Sequence, residues 1–152
     1  CHEWQHVLVV PARHPLADVA RPTLAQLAAE PLITYHPTFS GRSRIDDAFA
    51  RARLKPNIAL EAIDSDVIKT YVRSGLGIGI IAEMAMQSEG PDSGLIWKPA
   101  GHLFGRNTAR VAFRRGAYLR SFVLTFAELL SDRLTKPLIE RAMSSQGDHY
   151  EL

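Results

Sequence analysis

An α/β fold on an open, mostly parallel sheet is expected of this chain, for three reasons. Apolar runs of strand length alternate with segments whose apolar residues recur at three- and four-residue steps. Asp64-Ser65-Asp66 supplies side chains that cap a first helical turn, and Val67, Ile68, Tyr71 and Val72 then repeat at helical spacing toward a core. Gly75 stops that helix, and residues 76–81 form an apolar run suited to a strand covered on both faces.

The remaining elements follow in chain order. Val7, Leu8, Val9 and Val10 form a strand that Pro11 stops, and a polar stretch leads to a short helix within 22–28. Residues 31–35 read as the next strand. The turn formers and hydroxyls of 36–42 make a loop, and a helix is expected over about 42–53, with Ile45, Ala48, Phe49 and Ala52 on one face. Pro56 separates it from 58–63, where Ile58, Leu60 and Ala62 alternate with Ala59 and Glu61 as a weak strand pattern. Beyond Ile81 a short helical piece at 83–87 precedes a surface loop over 88–94. Strands are expected at 95–98 and 107–113, and a helix at 118–130 carries Leu119, Phe122, Val123, Phe126 and Leu130 on its inner face. A last helix at 136–143 precedes a frayed tail from 144 to 152.

The chain is 152 residues long, about one domain, with 18 basic against 16 acidic side chains and a net charge of +2. That balance leaves no basic stripe of the sort direct DNA binding requires, so any DNA contact needs another domain. A single cysteine, Cys1, forms no internal disulfide and fits a reducing compartment. No apolar run is long enough to span a bilayer, and no signal peptide is evident. Because Cys1 stands where a natural cytoplasmic chain has Met, the sequence is expected to be a piece of a longer protein or a cleaved product.

Several motifs invite chemistry that their context opposes. His2-Glu3-Trp4-Gln5-His6 has the spacing of a zinc-protease helix, but it runs straight into the 7–10 strand, where extended backbone separates the two histidines. Gly75, Gly77 and Gly79 have the spacing that opens a dinucleotide fingerprint. They follow a helix and open a strand, the reverse of the order that brings a pyrophosphate to a helix start. Asp64 and Asp66 read as first-turn acids favoured by the helix dipole rather than as an acid–base pair. Arg114, Arg115 and Arg120 read as solvated surface charge. No nucleophile with a positioned base stands out, and nothing calls for a metal or cofactor.

The loop Thr38-Phe39-Ser40-Gly41-Arg42-Ser43 is the best site candidate. It offers hydroxyl donors, a glycine that lets backbone approach a ligand, and a helix start whose free N–H groups favour an anion. Plain N-capping by Ser40 is the competing reading. Ligands on open α/β sheets bind beyond the carboxyl ends of the strands, which here fall near residues 35–41 and 63–66.

The wording of Asp66-Val67-Ile68-Lys69-Thr70-Tyr71-Val72, with Pro31-Leu32-Ile33-Thr34-Tyr35, Ser40-Gly41-Arg42-Ser43 and Val111-Ala112-Phe113-Arg114-Arg115, resembles the effector-binding domain of LysR-type transcription regulators. The likeness is to the CysB-like branch and covers about residues 4–134. It implies a periplasmic-binding-protein-like α/β fold: one complete subdomain over 3–106, then across a hinge the returning portion of a second subdomain and a tail over 107–152. The resemblance further implies a small-molecule effector (O-acetylserine, N-acetylserine, sulfate or thiosulfate class) bound at Ser40, Gly41, Thr38, Thr34 and Asp64. Ser40 takes the place of a threonine in the family's Phe-Thr-Gly-Arg-Ser motif, keeping the hydroxyl and losing the methyl. Ile63-Asp64-Ser65-Asp66 departs from the family's Thr-Asp-Ala-Asp. Also implied are a homodimer or homotetramer with residues 42–53 and 57–63 at its interface, and promoter DNA bound through a winged helix-turn-helix outside this chain. Such a regulator is cytoplasmic, makes no membrane contact, carries out no catalysis, and controls sulfur assimilation and cysteine biosynthesis genes. The alternative is a free-standing periplasmic-type solute-binding module for a small anion.

Overall fold

The structure is a computed structural model that describes residues 1–90, 93–114 and 116–144. It divides into two compact units, Trp4–Asn107 and a second made of Cys1–Glu3 with the described residues from Thr108 onward.

The larger unit is a two-faced sheet. Its elements in order are β1 (His2–Pro11), α1 (Leu24–Ala28), β2 (Pro31–Tyr35), α2 (Ser40–Arg51), β3 (Asn57–Ala62), α3 (Ser65–Arg73), β4 (Ile78–Ala82), β5 (Leu95–Pro99) and α4 (Gly101–Phe104). Strand order is β3-β2-β4-β1-β5, and β6 (Arg106–Ala109) pairs with β1. β2 runs parallel to both β3 and β4, whereas β1 is antiparallel to both β4 and β5. The sheet is therefore mixed, not mostly parallel. Strand direction is set by which distant segments pair, as in the antiparallel register of Val9 with Trp97, and alternation along one strand carries no record of it.

Period-two alternation explains the two cores. Leu8, Val10, Leu32, Ile78 and Ile80 point to one face, where Leu27 of α1 and Ile45, Ala48 and Phe49 of α2 cover them. Val7, Val9, Ile33, Tyr35 and Ile81 point to the other, under Ile68 and Val72 of α3. Every residue of β4 is buried, as expected of a strand covered on both sides. Each fully buried Ile or Val side chain contributes roughly 1.5–3 kcal/mol. Gly79 lets α3 close on the sheet, because a Cβ there meets Val72 Cγ2 at 3.0 Å and Ile68 Cγ2 at 3.2 Å. Gly77 passes against the Pro31 carbonyl oxygen with no room for a side chain.

Helix boundaries depart from expectation in instructive ways. α3 is capped by Asp64, whose Oδ1 accepts from the amides of Asp66 and Val67, and Gly75 ends it at φ 78°. Its buried face is narrower than predicted: Ile68 and Val72 are enclosed, while Val67 and Tyr71 are exposed. Lys69 is buried instead, its ammonium 2.7 Å from both Asp66 and Glu89 and donating to the Ala85 carbonyl. Burial opposes that charge, but the two carboxylates outweigh it and raise the Lys69 pKa. On α2, Ala52 lies outside on the closing turn.

In the smaller unit, α5 (Ser121–Leu130) and α6 (Lys136–Ser144) pack through Leu124, Ala127, Leu134 and Ile139. The strand expected at 107–113 stops at Ala109. The helix expected at 118–130 starts only at Ser121, and its buried residues are Leu124 and Ala127 rather than Phe122, Phe126 and Leu130, which are exposed. Arg115, residues 91–92 of the predicted loop, and the predicted tail beyond 144 lie outside the described residues. Among the described residues no helix is long and apolar enough to cross a membrane.

Candidate functional site

Strands β2 and β3 are parallel neighbours, and the helices that follow them leave on opposite faces of the sheet. That switch opens a crevice beyond the strand ends. A cleft of about 330 Å³ sits there, lined by Trp4, Tyr35, Phe39, Ser40, Gly41, Ile63, Asp64, Ser65, Ala82, Met84 and Ala85. Every lining residue belongs to the larger unit. A hollow of about 460 Å³ in the smaller unit has Glu140 as its one charged side chain, against Leu119, Leu124 and Met143, and that negative charge opposes an anion.

One wall is the start of α2. Ser40 is the first helical residue rather than the cap: Phe39 holds the cap position, and no side chain there satisfies the opening amides. Capping by Ser40 is thus excluded, and Ser40 is one of the residues that line the cleft. The uncapped first turn of a 12-residue helix presents N–H groups and the positive end of the dipole to whatever occupies the space. Gly41 is required behind it, since a Cβ would meet Trp4 Cη2 at 3.0 Å and His6 Nε2 at 3.1 Å.

Arg42 fixes this wall. Its buried guanidinium donates to Asp46 Oδ1 at 2.8 Å, Glu61 Oε1 at 2.7 Å and the Tyr35 carbonyl at 2.7 Å, tying α2 to the end of β2 and to β3. Burial works against the charge, yet Asp46 and Glu61 hold its pKa above the usual arginine value. Arg42 is therefore committed internally and does not reach a ligand.

The opposite wall is the start of α3. Asp64 lines the cleft while capping the helix through Oδ1. Tyr35 is buried; its hydroxyl accepts the Ala82 N–H at 3.2 Å and lies 2.7 Å from Ser65 Oγ.

The expected site residues thus divide. Ser40, Gly41 and Asp64 share the cleft. Thr34 is wholly buried in the sheet, its hydroxyl donating to the Ile80 carbonyl at 2.9 Å. Thr38 is exposed on the loop, its hydroxyl 3.0 Å from His36 Nδ1. Neither threonine is among the lining residues. Tyr35 and Ser65 escaped the sequence reading because a strand terminus and a first-turn serine each have an ordinary structural role. His2 to His6 lie in β1, with His2 exposed and His6 enclosed, so the two histidines share no helical face.

A family model described as the LysR substrate binding domain matches residues 1–135. The chain is 54% identical over 152 residues to the HTH-type transcriptional regulator CysB of Burkholderia cenocepacia, covering 100% of this chain and 48% of that relative. It is 45% identical over 145 residues to the HTH-type transcriptional regulator cbl of Escherichia coli, covering 95% of this chain and 46% of that protein. The chain thus spans about half the length of these curated relatives. The crystal structure of the cofactor-binding domain of the Cbl transcriptional regulator superposes with a TM-score of 0.86 at 46% identity, over 95% of this chain and 63% of that one.

Proposed function

The chain belongs to the LysR substrate-binding domain family, and from that membership we propose that it is the co-inducer-sensing portion of a cytoplasmic, CysB-like transcription regulator. In this reading it senses an acetylserine or a sulfur oxyanion, and the longer protein controls sulfur assimilation and cysteine biosynthesis genes. The larger unit is the second subdomain of the effector domain, the smaller one the returning part of the first. Promoter DNA is bound through a winged helix-turn-helix outside this chain, by a homodimer or homotetramer.

The observation that carries the reading is the uncapped start of α2, with Ser40 and Gly41 opening onto a cleft at the strand ends. Such a wall selects oxyanions and carboxylates by charge-assisted hydrogen bonds. No lining residue is a nucleophile with a positioned base, so binding is the output. A ligand that prefers one arrangement of the regulator shifts its population only by its difference in affinity for the two states.

Calorimetry on the full-length regulator tests it, with O-acetylserine, N-acetylserine and sulfate as probes. Ser40→Ala is expected to weaken binding by about 1–2 kcal/mol, the loss of one hydrogen bond to a charged group. Ser40→Thr keeps the hydroxyl and is expected to bind at least as well as the parent. If Ser40→Ala binds every probe as tightly as the parent, the effector site lies elsewhere.

A further inference from the structure

We propose that Ser65 is a second ligand-binding residue of this cleft and selects for a neutral carbonyl acceptor on the ligand, its hydroxyl aimed by Tyr35. The proposal rests on the reading of the cleft as an effector site and adds to it the chemistry of the wall facing Ser40.

A proton count carries the argument. Tyr35 and Ser65 have two hydroxyl protons between them. One occupies the 2.7 Å bond that joins their oxygens. The Ala82 amide donates to the Tyr35 oxygen at 3.2 Å, so it takes neither proton. Among the described residues neither oxygen has a further acceptor, which leaves one O–H to be satisfied, and both residues line the cleft. The phenol is the more acidic of the two and is already an acceptor from Ala82, so it donates to Ser65. The proton left over belongs to Ser65. A serine oxygen that receives one hydrogen bond is polarised into a better donor for the next.

Asp64 decides what that donor takes. Its carboxylate lines the same wall and spends Oδ1 on the Asp66 and Val67 amides. A full anion placed at Ser65 meets this charge, whereas a neutral carbonyl oxygen does not. The α2 wall has no acidic lining residue, so the anionic end of a ligand belongs with Ser40 and Gly41. The two walls together select a small carboxylate carrying a separate acyl carbonyl over a compact tetrahedral oxyanion.

The test measures binding of O-acetylserine, N-acetylserine and sulfate to the full-length protein by calorimetry. Ser65→Ala is expected to weaken both acetylserines about tenfold, the size of one hydrogen bond, and to change sulfate by less than about twofold. Ser65→Thr, which restores the hydroxyl, is expected to bind as the parent does. Tyr35→Phe is expected to give the same selective loss, and the double variant Tyr35→Phe/Ser65→Ala to be no weaker than either single one. Unchanged acetylserine affinity in Ser65→Ala overturns the proposal. So does an equal loss of sulfate, which makes Ser65 a structural residue, and so do additive losses in the double variant, which break the Tyr35 link. If these hold against the proposal while Ser40→Ala still weakens every probe, the cleft remains the effector site. A parent that binds none of the probes overturns both.

Discussion

His6 is fully enclosed and packed edge-on against Trp4 and Phe104, with the backbone of Gly41 beside its ring. Burial, together with the nearby Arg44 cation, lowers its pKa from 6.5 to about 4. The folded pKa lies below the unfolded one, so the folded state binds fewer protons across that window. Stability is full above about pH 6.5 and is lost as pH falls toward 4. At 1.36 kcal/mol per pKa unit the loss is about 3 kcal/mol. Replacing His6 with Phe keeps the packing and removes the titration, so denaturant melts of the two proteins from pH 7 to pH 4 are expected to diverge on the acid side; parallel profiles refute the assignment. The spacing of His2 and His6 matches a zinc helix, but in β1 extended backbone carries the two rings apart along the strand instead of stacking them one helical turn apart. What the pattern does not contain is that the enclosed ring lies against Gly41, behind the cleft wall. Thr34 is the converse case. A hydroxyl one residue before a strand end resembles a site residue in the sequence, and only the neighbouring strand reveals that Ile80 has claimed it. That Ser40, Gly41 and Asp64 share one cleft was legible, because helix starts at strand ends have a fixed place in this fold.

At the level of elements, five of the six strand positions and the larger helices follow from apolar spacing, since burial enforces the period, whereas β6 has no apolar pattern. Ends and faces do not. α2 starts two residues before the predicted Arg42: Phe39 is extended at the cap position and its carbonyl accepts the Arg42 amide at 3.0 Å, so Ser40 and Gly41 already belong to the first turn. The face of α3 was misjudged because spacing alone cannot distinguish Lys69, whose carboxylate partners come from separate segments, from an exposed lysine. α5 is the largest departure. Its spacing marks a broad apolar stripe, yet Leu129 is 81% exposed, Phe122 65% and Phe126 60%. The family resemblance implies that further segments, outside these 152 residues, cover the stripe. The 152-residue chain alone is therefore expected to bind an apolar-surface dye and to self-associate. Exchanging Phe122 and Phe126 together for Ser removes the largest exposed rings and is expected to reduce both. A monomeric parent that unfolds cooperatively and binds no dye contradicts this account.

At the level of the whole molecule, the surface around β3 and α2 is where the resemblance places contact between subunits. Among the described residues β3 is an edge strand of the sheet, paired with β2. α2 exposes Arg44 and Arg51 while burying Ile45, Ala48 and Phe49 against the core. Symmetric pairing through such a face means that one substitution alters both halves of the contact, so a modest local penalty is doubled. Buried Arg42 already ties the start of α2 to β3 through Glu61, which makes the two elements one continuous surface rather than two independent patches. Of the two exposed arginines, Arg51 is the cleaner probe, because Arg44 also contributes to the field at His6. In the full-length protein, Arg51→Glu is expected to lower the solution mass measured by sedimentation or light scattering at a fixed concentration, and Arg44→Glu to do the same. Circular dichroism checks that each variant is folded. Because the cleft wall and this surface are built from the same helix, a loss of mass is also expected to change the affinity for effector, through linkage between assembly and binding. An unchanged mass in both variants moves the subunit contact to another face, while leaving the cleft at the strand ends where the sheet topology puts it.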